Sequence, residues 1–304
     1  MSAPVVVLAG GTGGAKLARG MQDVVGEDLV VVANTADDVE IYGAYVSPDP
    51  DLTTFWLAGQ IDERGWGLEG DTFAVMNGLR ELGREVWFNL GDRDLAIGLE
   101  RAERMAAGET LTETLAALGA ALGITGRVLP MSDDAVRTRV RAHGRDWPFQ
   151  EFMIKAGGAG PIDDVTFDGA ARARPTAQGL DAVASARAII IGPSNPVISI
   201  GPIFALPGMR EALAKATAPV VAVSPLVGGK VLKGPTEPFL DWAGQPLSSD
   251  GIAALYAGVI DGLLADSPTD RVASREADVL MSDADGRRRV AEESLQFAAA
   301  LAAP

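Results

Sequence analysis

Apolar residues fall into two rhythms along this chain. Continuous, largely β-branched runs at Val5–Leu8, Leu29–Ala33, Ala188–Ile191 and Val220–Val223 predict strands covered on both faces, as parallel strands are. Glu85–Leu90 predicts one more strand. Helical spacing fills the intervals. Ala15–Val25 follows a glycine-rich segment, and the strand, helix and strand of the first 34 residues make a β-α-β unit. Its crossover is therefore right-handed and its sheet parallel. Leu95, Leu99, Ala102 and Ala106 share a helical face. Thr110 to Glu113 forms a capping box for a second helix striped by Leu111, Leu115, Leu118 and Leu122. Ala284–Ala302 predicts a last amphipathic helix, with Arg287, Arg288 and Arg289 on its solvated face.

Between about 131 and 168 the pattern changes. Val136–Ala142, Pro148–Ile154 and Val165–Phe167 predict short antiparallel strands. The chain thus reads as a single α/β domain over 1–304, with a helical segment and this small β-rich insertion.

Composition narrows the chemistry. The 304 residues include no cysteine and one histidine. Thiolate nucleophiles, disulfides and multi-His metal centres are excluded. His143 lies in a polar, turn-like stretch and reads as a surface residue. The net charge of −15 argues against nucleic acid as partner. The amino terminus lacks a basic n-region, and no apolar run approaches the roughly 20 residues of a membrane span. These features predict a cytoplasmic protein working through carboxylates, Lys and Arg, hydroxyls, backbone dipoles or a hard cation.

Three loops at predicted strand ends carry candidate chemistry. Gly10, Gly11, Thr12, Gly13 and Gly14 follow the first strand, in the context of a phosphate loop. The dinucleotide and P-loop patterns both fail, since Lys16 stands where the first needs glycine and lacks the neighbours the second needs. Lys16 reads equally as a phosphate ligand or as an exposed first-turn lysine. Asp37, Asp38, Asp49 and Asp51 crowd the next loops. They suit Mg²⁺ shared with substrate phosphates, or turn and cap positions, with Asp51 as N-cap of a helix over Leu52–Ile61. Arg93, at the end of the predicted 85–90 strand, suits phosphate or carboxylate, or pairing with its flanking aspartates. Ser194 and Asn195 follow the Ile-rich strand. They suit a base or sugar, with Asn195 also a plausible helix cap before Pro196.

The ordered motifs carry a specific resemblance. Gly10 to Leu17, Asn34 to Asp38, Ser47 to Asp51, Gly65 to Gly67, Asp71 to Phe73 and Gly91 to Asp94 lead into Leu129 to Asp133, Phe149 to Phe152, Gly192 to Pro202 and Val223 to Pro225. Together they resemble the 2-phospho-L-lactate transferase family of coenzyme F-420 biosynthesis over nearly the whole chain. The resemblance implies a Rossmann-like α/β fold, usually dimeric, using Mg²⁺. It implies transfer of a phospholactyl or related group from a guanosine diphosphate conjugate to 7,8-didemethyl-8-hydroxy-5-deazariboflavin, with GMP leaving. It also implies that Asp37, Asp51 and Asp38 serve the metal, while Asp49, Asp51 and Arg93 serve the acceptor. The glycine segment, Lys16, Ser194 and Asn195 fall to the nucleotide, and Asp37 or Asp51 to the proton. A related gluconeogenesis-factor family of nucleotide-sugar binders is the alternative. Val39 to Gly43, followed by the Ser-Pro-Asp segment, favours the transferase.

Overall fold

A computed structural model describes residues 2–303. Strand β1 (Val5–Ala9) enters helix α1 (Gly11–Val25), which returns to β2 (Leu29–Ala33). A hairpin of β3 (Val39–Ile41) and β4 (Ala44–Val46) leads to α2 (Pro48–Leu57). Helices α3 (Ala74–Glu81), α4 (Asp92–Ala106) and α5 (Leu111–Ala121) precede β5 (Arg127–Pro130). Next come β6 (Arg137–Ala142), β7 (Arg145–Pro148), α6 (Phe149–Lys155) and β8 (Ile162–Asp168). The second half runs through α7 (Ala177–Ser185), β9 (Ala188–Ile191), α8 (Gly201–Ala205), α9 (Met209–Ala214) and β10 (Val220–Val223). It closes with β11 (Leu226–Val227), β12 (Lys230–Val231), α10 (Thr236–Trp242), α11 (Ser249–Leu255), β13 (Gly262–Ala265), β14 (Ala273–Glu276) and α12 (Ala284–Ala302).

Seven strands form one sheet in the order β14-β13-β10-β9-β1-β2-β5, with every pairing parallel. Alternate side chains of the six strands other than β14 enter two cores. Val6, Leu8, Val32 and Ile191 face α7, α8, α9 and α11. Val5, Val7, Val31 and Ile190 face Leu17 and Met21 of α1 and Val290 and Phe297 of α12. The fold is Rossmann-like α/β, with helices on both faces.

From β1 the chain builds outward through β2 to β5, then recrosses to β9 and builds the other way. The carboxyl ends of β1, β2 and β9 therefore meet at a switch in strand order, where open α/β sheets bind ligands.

Strands β7-β6-β8 make the small antiparallel sheet of the insertion. Its core, with Phe149, Phe152 and Val165, packs against Val197, Ile198 and Phe239.

Several local expectations need correction. The 85–90 segment is not a strand, because no neighbouring strand pairs with it. Its Val86, Phe88 and Leu90 instead fill a side cluster with Met76 and Leu95. Strand character stops at Pro148, and 149–155 is helical, since Phe149 and Phe152 at i, i+3 bury one helical face. Helix α4 buries Leu95, Gly98 and Arg101, whereas Leu99 is 44% exposed. Asp51 is not an N-cap. Helix α2 starts at Pro48 after Ser47, which leaves Asp51 inside its first turn.

The capping box at Thr110 forms with both of its reciprocal bonds. Strands β5, β13 and β14 carry short or mixed patterns that hydrophobic rhythm alone does not distinguish.

Candidate active site at the sheet switch point

The glycine segment is not an open loop but the first turn of α1, which begins at Gly11 with φ +60°. Gly11 is set by that positive φ, whereas Gly13 and Gly14 are dictated by close packing. A Cβ on Gly13 would sit 2.0 Å from the Pro193 carbonyl oxygen, and one on Gly14 would sit 2.7 Å from Ser194 Oγ. Chain from the ends of β1 and β9 thus interlocks, and the Gly10 N–H donates to Ser194 Oγ at 3.3 Å. Asn195 caps a single turn rather than an α-helix, its Oδ1 accepting from the Val197 N–H at 2.9 Å. Its Nδ2 is buried without a partner.

Asp37, Asp38, Asp49 and Asp51 are all buried beside this turn. Asp49 accepts the Gly11 N–H at 2.7 Å and the Asn34 Nδ2 at 2.9 Å. A carboxylate of the protein therefore already occupies part of the anion position that the glycines were expected to offer. The first-turn N–H groups of Thr12 and Gly13 have no acceptor within the helix.

Burial and the neighbouring Asp49 charge hold the Asp37 carboxyl well above the usual range, against opposing hydrogen bonds from Asn34 and Thr138. Burial raises Asp49 to about 6, although its Gly11 and Asn34 bonds oppose this. Burial raises Asp38 to about 7. Ser47 Oγ donates to its Oδ1 at 2.8 Å, and its Oδ2 is buried with no partner.

Asp51 is held differently. Arg101, fully buried on α4, forks onto it: Nη1 lies 3.1 Å from Oδ2 and Nη2 bonds Oδ1. Nη1 also donates to the Tyr45 carbonyl at 2.7 Å. Burial still outweighs the guanidinium and raises Asp51. Asp94 lies near this pair. Burial first, then the charges of Asp51 and Asp71, lift it to about 7.

Sequence reasoning missed Arg101, because an arginine in a helix reads as solvated. Its signal was the spacing of Leu95, Gly98 and Arg101 along one face.

The structure moves Arg93 from a strand end to the first turn of α4, where it is exposed. Its guanidinium donates to the Glu69 carbonyl at 2.9 Å and to Gln60 Oε1 at 3.0 Å. No ion pair joins it to its flanking aspartates among the described residues. Lys16 is half-buried rather than exposed. Its Nζ is 5.8 Å from the Trp56 ring centroid and donates to the Met281 carbonyl at 3.3 Å. His143 is exposed, and no metal cage of three or more acidic, His or Cys residues forms among the described residues.

Fold and site together define a Rossmann-like α/β protein with a buried acidic centre at its topological switch point. Comparison with known proteins places it more closely. A family model described as 2-phospho-L-lactate transferase CofD matches residues 5–298, and the chain belongs to that family. It is 37% identical to a phosphoenolpyruvate transferase of Kitasatospora aureofaciens, over 97% of each chain. It is also 37% identical to a 2-phospho-L-lactate transferase of Methanosarcina mazei, over 96% of this chain and 99% of that one. A UPF0052-family crystal structure from Bacillus halodurans shares the fold, with TM-score 0.62 at 18% identity over 97% of this chain and 99% of that one.

Proposed function

We propose that the protein transfers a phospholactyl, phosphoenolpyruvyl or phosphoglyceryl group from a guanosine diphosphate-linked donor to 7,8-didemethyl-8-hydroxy-5-deazariboflavin, releasing GMP in coenzyme F-420 biosynthesis. Membership of the transferase family is the observation that carries this reading. The buried aspartates at the switch point supply chemistry that suits it. Phosphoryl transfer needs positioning and charge stabilisation rather than a histidine or thiol.

The Asp49 charge holds the Asp37 carboxyl up, and among the described residues no cation pairs with either. Two hard oxygen donors short of positive charge fit Mg²⁺, which typically takes one or two carboxylates and completes its shell with phosphates and water. Bound there, Mg²⁺ would neutralise charge spreading over the transferred phosphoryl oxygens. Arg101 neutralises Asp51 through both of its oxygens, so Asp51 acts as an ordered wall of the site; Asp49 has only the neutral donors Gly11 N–H and Asn34 Nδ2, and with Asp37 takes the metal role.

The acceptor's ribityl hydroxyl attacks the phosphorus bearing the acid. The new O–P bond forms as the bond to the bridging oxygen of GMP breaks. The hydroxyl proton passes to Asp38, whose unpartnered Oδ2 and carboxyl near 7 suit a base at neutral pH. Ser194, Asn195 and the first-turn N–H groups of α1 face the nucleotide, and Arg93 the acceptor.

Incubation with Mg²⁺, the deazaflavin and each guanylylated donor, read by product mass, tests the proposal. One donor should give the phospho-acyl deazaflavin together with GMP. No product from any of the three would refute the activity.

A further inference from the structure

The chain carries fifteen more acidic than basic charges, yet among the described residues three cations around Lys16 of α1 have no acidic partner. Lys16 and Arg287 both stand over the Trp56 ring, with Nζ 5.8 Å and the guanidinium carbon 5.0 Å from its centroid. Among the described residues neither forms an ion pair, and neither does Lys233, whose charge reaches Lys16 from the loop after β12. Two carboxylates near Arg287 are already committed. Asp23 pairs with Arg19 at 3.0 Å, and Asp283 accepts the Gly286 N–H at 2.8 Å to cap α12.

Burial first, then Arg287 and Lys233, lower the Lys16 pKa, as expected where cations gather without an anion. Two N–H donors in the group are also orphaned. Trp56 Nε1, on a side chain 8% exposed, and Arg287 Nε are both buried with no partner. Clustered cations beside unused N–H donors are the chemistry that holds an anion. This also answers the difficulty at the glycine turn, where Asp49 already takes the Gly11 N–H.

We infer that Lys16, Lys233, Arg287 and the Trp56 indole form a seat for a diphosphate, which the guanosine-linked donor would fill. The assignment to that donor rests on the transferase reading; the anion seat itself does not. Arg287 thus leaves the solvated face expected of it and becomes a ligand, as does Lys16.

Calorimetric titration of inorganic pyrophosphate and GDP into the full chain, without divalent cation, tests the seat. Wild type should bind both, more weakly as salt rises. Lys233→Ala, a change at an exposed side chain, should weaken each at least five-fold, and Arg287→Met should do the same. Guanosine binding should be unmoved. Pyrophosphate that fails to bind wild type, or binds both variants as tightly, overturns the seat. An unchanged KM for the guanylylated donor in Lys233→Ala overturns the assignment of the seat to that donor, while leaving the transferase reading intact. Weakened pyrophosphate binding in the variants, with no turnover of any guanylylated donor by wild type, upholds the seat and removes only the transferase reading.

Discussion

Arg101 shows how much a single buried side chain can decide. With no exposure to water, it satisfies Asp51 and the Tyr45 carbonyl and ties α4 to the acidic centre. Removing one partner of a buried pair leaves the other charged and dry, which costs about 3–5 kcal/mol. Arg101→Met should lower unfolding stability by about that amount in urea titrations, and adding Asp51→Asn should recover part of it. Full stability of the single variant would contradict the pairing.

Asp94 gives a test with a defined sign. Asp51, Asp71 and Arg101 are the charged groups acting on it, and its carboxyl stands near 7 against an ordinary 3.8. The folded protein therefore holds this proton where the unfolded chain has lost it. Stability from this group falls as pH rises from about 4 to about 7. Asp94→Asn removes that loss. Its melting temperature relative to wild type should climb across this interval and level off above it. A difference independent of pH would show that Asp94 titrates normally.

At the scale of elements, α1 depends on glycine for contact rather than for flexibility alone. A methyl at Gly13 meets the backbone oxygen of Pro193, which cannot swing aside as a side chain tip would. Gly13→Ala should therefore cost about 1–3 kcal/mol. On the proposed function it should also depress transfer, by parting the turns after β1 and β9 to which the nucleotide is assigned. Thr110→Ala is its counterpart far from the chemistry. Loss of the α5 cap should cost about 1 kcal/mol in thermal or urea unfolding and leave turnover unchanged.

Elements with strong rhythm were legible from sequence. The β-branched runs of β1, β2, β9 and β10 appear as parallel strands, and the capping box starts α5. The 85–90 segment misled because alternating apolar residues can serve a side cluster without a strand partner. Helix α4 was found with the wrong face inward, because the buried line includes an arginine whose partner lies 50 residues away in sequence. No local pattern reports such a pair.

At the scale of the whole molecule, strand order makes the site. Residues from Gly10, Asn34 and Ser194 converge only because β1 lies between β2 and β9. The sequence showed each loop at a strand end but not which ends are neighbours. It showed four aspartates but not that Asp51 belongs to Arg101, while Asp37 and Asp49 stand together short of positive charge. That division is the central claim, since on the proposed function it would assign the metal to Asp37 and Asp49 at the switch point.

The most direct test is GMP release, measured with the deazaflavin, a guanylylated phospho-acid donor and Mg²⁺, for wild type beside Asp37→Asn. The wild-type protein should release GMP in step with phospho-acyl deazaflavin. The folded Asp37→Asn protein should fall at least a hundredfold and gain nothing from added Mg²⁺. Wild-type rates in Asp37→Asn, with an unaltered Mg²⁺ dependence, would contradict the account.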